Sequence, residues 1–150
     1  MKSRAMAVAA LLVLAGCATG RISDDERLAL YRAHAGAPLR EFRYVDRLGG
    51  WTALGKGALA VWTRPNEAYL LELAGPCNDL DFASAISLTH RMDRVAARFD
   101  DVVVLGGPNT IRLPCRIESI RALDVKAVRA SEKQLREVKL EERASASGTP

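Results

Sequence analysis

The N-terminal segment through Cys17 constrains this chain more than any other feature, because it decides in which compartment the rest must fold. Lys2 and Arg4 supply a positive n-region, and residues 5–15 form an apolar run that ends in small residues. That is the layout of a secretory leader, which is removed from the mature protein. A helix that crosses the hydrocarbon core needs about 20 apolar residues. This run stops well short of that before Thr19 and Arg21, so the expectation is export and not a membrane span.

At the end of the leader, Leu14-Ala15-Gly16-Cys17 resembles the lipobox of bacterial lipoproteins. The resemblance implies cleavage after Gly16 and a diacylglycerol on the Cys17 sulfur. Buried acyl chains contribute about 0.8 kcal/mol per CH2, so two or three of them hold a protein on a membrane without a transmembrane helix. Ala18 follows the cysteine where Asp would be the inner-membrane signal. By analogy with sorted lipoproteins, this favours the outer membrane, facing the periplasm. The expected partners are therefore the membrane, through the acyl chains, and envelope proteins.

The remaining cysteines, Cys77 and Cys115, form an even pair in an oxidising compartment, and a Cys77–Cys115 disulfide is expected. Its loop of about 39 residues corresponds to roughly 4 kcal/mol in the chain-entropy account. Reactive thiols are the weaker alternative, since no Cys-x-x-Cys spacing occurs and only Arg116 stands close as a base. The 150 residues allow one small core, and the hydrophobic fraction of 49% is inflated by the leader. Removing Lys2 and Arg4 lowers the formal charge from +4 to 4 − 2 = +2. Basic and acidic residues are interspersed, so no nucleic-acid partner is indicated.

Four segments follow from pattern: a leader at 1–16, an anchor, linker and short helix at 17–40, a β-rich body at 41–124 and a charged helical or disordered tail at 125–150. Ser23-Asp24-Asp25-Glu26 has capping-box spacing with acids in the first turn. Leu28, Leu30, Tyr31 and Ala35 continue a helix that Gly36 would cap and Pro38 would stop. His34 in its last turn reads as a helix-end cation. Phe42, Tyr44 and Val45 mark a first strand. Residues 59–63 and 68–73 form a hairpin about Arg64-Pro65-Asn66-Glu67, with Tyr69, Leu71 and Leu73 on one face. Residues 102–105 read as a buried strand and turn through 106–109 into a strand over 110–117. There Ile111, Leu113, Cys115 and Ile117 alternate inward. Residues 78–98 fit helix and strand about equally. A solvated helix is expected to about Arg143, with Glu132 and Arg136 as a helical pair, and 144–150 is expected to be disordered.

Motif by motif, chemistry is sparse. Gly50 to Gly57 has the Gly-x4-Gly-Lys spacing of a phosphate loop, but Gly57 stands where a magnesium-binding hydroxyl is needed and a strand follows. These glycines read as turn residues, and no nucleotide is expected. His90 and Asp93 read as a surface pair rather than a metal site. Asp79 and Asp81 lack the remainder of a calcium loop, and Asp100 and Asp101 read as a turn before a strand. Ser84, Ser87 and Ser119 sit in no Gly-x-Ser-x-Gly context. No catalytic residue, metal ligand or cofactor is assigned. Trp51, Trp62 and Tyr69 are the candidate ligand-binding aromatics, although aromatics in a small β-rich domain are more often core.

Val61-Trp62-Thr63, Ala68-Tyr69-Leu70-Leu71, Cys77-Asn78-Asp79-Leu80 and Cys115-Arg116-Ile117 together resemble a family of small bacterial lipoproteins carrying a domain of unknown function, over roughly residues 51–123. The resemblance implies a compartment and an architecture but no activity. The expected fold is α+β: a small, mainly antiparallel sheet, one or two short helices and one disulfide. The expected role is a non-enzymatic envelope interaction or accessory module. The alternative is a binding module for a wall fragment, lipid or metal.

Overall fold

Helix α1 (Asp24–Ala33) begins where the capping box places it. In the computed structural model, which describes residues 21–45, 47–106 and 113–148, Ser23 Oγ accepts from the Glu26 amide at 3.2 Å and Glu26 Oε2 accepts from the Ser23 amide at 2.8 Å. Two orphan donors of the first turn are thereby satisfied. The helix ends at His34 rather than at Gly36. Gly36 and Pro38 instead lie inside strand β1 (Ala35–Leu39), which pairs antiparallel with strand β9 (Pro114–Leu123). Pro38 is tolerated there because β1 has one partner only and its ladder is irregular between Ala35 and Pro38.

Strand β2 (Glu41–Arg43) pairs with β7 (Arg94–Ala96), setting Phe42 opposite Val95, both buried. Tyr44 is buried beyond it while Val45 is exposed. Strand β3 (Gly50–Ala53) and strand β4 (Ala58–Arg64) form a hairpin whose turn holds Gly55, at φ +84°, and Gly57; Gly50, expected as a turn residue, instead opens β3 opposite Trp62. Strand β5 (Glu67–Leu73) returns from β4 through Pro65-Asn66, as the turn chemistry requires. The ambiguous 78–98 segment resolves into a 3-10 turn (Leu80–Phe82), strand β6 (Ala85–Leu88) and β7. Strand β8 (Asp101–Leu105) follows. The sheet order is β3-β4-β5-β9-β8-β6, all antiparallel, with β1 also on β9.

The clearest strand of the sequence begins later and runs further than its alternation indicates. β9 starts at Pro114 and reaches Leu123, with a register shift opposite Glu72/Leu73. Leu113 lies before it and is exposed. Ile111 falls outside the described residues. The shift re-phases the inward set, so one continuous strand serves β8 at one end and β1 and β5 at the other. The expected disulfide is present: Cys77, fully buried, is bonded to Cys115, with Cα atoms 5.6 Å apart.

Both faces of the central strands are covered. Leu59, Val61 and Leu71 pack with Phe42, Val95, Leu80, Cys77 and Val102 on one face. Ala58, Ala60, Ala68 and Leu70 pack with Tyr31, Leu123, Val125 and Val128 on the other. Period-2 alternation explains why β4 reads as an unbroken apolar run. Small residues on the second face let the helices approach closely. Helix α2 (Val125–Ser147) is capped by the Asp124 carboxylate, which accepts from the Ala127 amide at 3.0 Å. Its buried Val125 and Val128 make its first turns part of the core, so the boundary drawn at residue 124 divides one packed unit. It also continues past Arg143, with the Ser145 and Ser147 hydroxyls bonded back to the Glu141 and Arg143 carbonyls.

Candidate functional site

The two helices run antiparallel across the sheet because three polar contacts align them. Glu26 meets Lys139 at 3.2 Å, the Tyr31 hydroxyl donates to Glu132 at 2.9 Å, and His34 Nε2 lies 2.9 Å from Ser131 Oγ. Sequence separations of about a hundred residues hide all three. Burial, and then the Glu132 carboxylate, push the Tyr31 phenol well above the ordinary tyrosine range. The Ser23 amide, and then Lys139, hold Glu26 below the ordinary carboxylate range, and the bond to Glu26 holds Lys139 above that of lysine.

Beside these contacts lies a cleft of about 410 Å3, lined by Tyr31, Glu132 and Lys139 of the contacts together with Arg21, Ile22, Arg27, Leu30, Leu135, Arg136, Leu140 and Arg143. A second depression, reaching Trp62, Arg64 and Arg129, shares Arg27, Tyr31, Glu132 and Arg136 with the first. The chemistry of the lining is lopsided. Arg21, Arg27 and Arg136 make no ion pair among the described residues, while Glu132 is the one carboxylate among them lining either depression. On α2, Leu135, Arg136, Lys139, Leu140 and Arg143 fall on one side by helical spacing together with Glu132 and Glu142, whereas Glu137 and Glu141 fall on the other. An anion with an apolar portion is the ligand class such a lining fits: guanidinium groups present forked donors that match phosphate or carboxylate.

The three candidate aromatics do not converge. Trp62 is on the helix face, edge-on to Tyr31 with ring centroids 6.5 Å apart. Trp51 and Tyr69 both register with Val61 and so occupy the opposite face, where Tyr69 stacks on Phe42 at 4.3 Å. The reason is the strand period: residues 61 and 62 point to opposite sides. None of the three lines the cleft itself: Trp62 lines the adjoining depression, and Trp51 lines a hollow on the other side that shares Arg21, Ile22 and Arg27 with the cleft. Burial, and then Glu67, raise the Tyr69 phenol.

The other polar candidates have structural duties. Asp100, only 5% exposed, accepts from Thr89 Oγ1 at 3.0 Å and from the Ala96 amide at 2.8 Å, fixing the turn between β7 and β8. Asp101 pairs with Arg116 at 2.9 Å. His90 packs edge-on against Tyr44, and Asp79 and Asp93 hold left-handed turn positions. Ser119 bonds Glu72, which also receives Arg32. Among the described residues no group of three His, Cys, Asp or Glu side chains is placed to hold a metal, and no helix is long and apolar enough to cross a membrane. Cys17 lies outside the described residues.

A family model matches residues 1–139: the chain belongs to the Family of unknown function (DUF6491). The match extends well beyond the 51–123 region, taking in the N-terminal segment and the helix contacts up to Lys139. Comparisons with curated proteins and with solved structures give no match.

Proposed function

We propose that this protein is a lipid-anchored accessory module of the cell envelope, facing the periplasm, which acts by binding rather than by catalysis. What supports this reading is how few residues of sequence separate the lining of the interhelical cleft from the lipobox. Arg21 and Ile22 line the cleft, and only residues 18–20 separate Arg21 from Cys17. Four residue steps of extended chain span at most about 14 Å. An acylated Cys17 therefore keeps the cleft beside the bilayer surface. The intact mass of protein extracted from its native envelope tests this. The expected mass begins at Cys17 and carries acyl chains, and Cys17→Ser releases the protein from membranes. An unacylated mass, or purified protein that turns over a wall or lipid substrate, would overturn the reading.

A further inference from the structure

We infer that the cleft between α1 and α2 receives the phosphate of an anionic phospholipid headgroup from the membrane in which the anchor sits. The inference deepens the proposed function and rests on it for the nearness of the bilayer. Its chemical content comes from the cleft itself.

Arg27 is half-buried on α1 and Arg136 is exposed on α2; both line the cleft and its neighbouring depression. Neither has an acidic partner among the described residues, unlike Arg32, Arg94 and Arg116, which are paired with Glu72, Glu41 and Asp101. Holding like charges together across a cleft costs free energy that an anion between them would offset. Lys139, by contrast, is already occupied by Glu26 and Glu142, so the free cationic character concentrates on the guanidinium groups. A phosphodiester matches their forked donors.

Leu30 and Leu135 supply the apolar side of the same cleft. A free phosphate would leave that surface in water; the glycerol and upper acyl carbons of a phospholipid would cover it. Trp62 stands in the adjoining depression, so its emission is a reporter of occupancy. Of the acids on this side of α2, Glu132 accepts from the Tyr31 hydroxyl and Glu142 pairs with Lys139, so each already has a partner.

The test uses the acylated full-length mature protein, in neutral detergent, titrated with dihexanoyl phosphatidylglycerol. Dihexanoyl phosphatidylcholine, inorganic phosphate and a poly-glutamate peptide are run in parallel. Two readouts are taken: Trp emission, and the rate of arginine modification by phenylglyoxal, resolved by residue with mass spectrometry. The expected result is a several-fold slowing at Arg27 and Arg136 with phosphatidylglycerol alone, with no slowing at Arg94. The double variant Arg27→Gln/Arg136→Gln should lose the emission change while melting at the wild-type temperature. Equal protection by inorganic phosphate would overturn the lipid assignment in favour of a free-anion site, and equal protection by poly-glutamate would do so in favour of an acidic protein partner. No protection by any probe would overturn the inference outright. The anchor is judged separately by mass, and unacylated protein is expected to give the same titration, so failure of the cleft and failure of the anchor are distinguishable.

Discussion

The two faces of the central sheet solve the burial problem in different ways. On the face away from the helices, large side chains from many strands interlock around Leu59, Val61 and Leu71, and the Cys77–Cys115 bond ties β9 to the segment after β5. On the helix face, alanines form much of the floor, and long-range polar contacts hold α1 to α2. The first arrangement concentrates stability. The second leaves a cleft beside the contacts between the helices. Apolar packing is non-directional and fills space, whereas discrete polar contacts fix alignment and leave space between them.

If stability is concentrated on the disulfide face, the largest losses should come from there. Cys77→Ser/Cys115→Ser is expected to cost roughly 4 kcal/mol, read as a lower denaturant midpoint. Truncating Leu71, fully buried on the same face, to Ala is expected to cost about 3 kcal/mol through transfer loss and cavity formation. Both should leave the emission of Trp62 unchanged in the folded state.

On the helix face, Ala60→Leu should cost about 1–3 kcal/mol by overpacking a fully buried site. It should also shift Trp62 emission, because the helices must move outward. Ser23→Ala removes the side-chain acceptor of the α1 cap and should cost about 1 kcal/mol, with increased amide exchange confined to the first turn of α1.

The smallest effects are electrostatic. Tyr31 has its folded pKa raised, so its contribution is fully present below the unfolded tyrosine pKa and is lost as pH rises through that range and beyond. Tyrosinate absorbance should show one of the three tyrosines ionising only with alkaline unfolding, and Tyr31→Phe should abolish that phase. Glu26, with its folded pKa lowered, contributes above the unfolded carboxylate pKa and loses that contribution as pH falls through its depressed value. Glu26→Gln should flatten the acid limb of the melting curve slightly.

Much of the disulfide face is legible in the amino-acid sequence. The cysteine pair, the Pro65-Asn66 hairpin and the valine run of β8 are local or pairwise signals that survive folding unchanged. The helix face is not legible in this way. Gly36 and Pro38 carry stop signals that apply to an isolated helix, but pairing with β9 recruits them into a strand. Val125 and Val128 are too sparse to reveal a buried stripe, and the tail reads as solvated until Tyr31 and Ala68 are set against it. The split of Trp62 from Trp51 and Tyr69 is implicit in the strand period, but it becomes decisive only because both faces of the sheet are covered.

By itself, then, the amino-acid sequence determined the class of fold, the cysteine pairing, the start of α1 and the turn chemistry, because each depends on neighbouring residues or on a single long-range bond. Only the tertiary structure decided which residues meet in the cleft. Arg27 and Arg136 stand more than a hundred positions apart, no periodicity links them, and they are brought to one site solely because α1 and α2 pack side by side on the alanine face of the sheet.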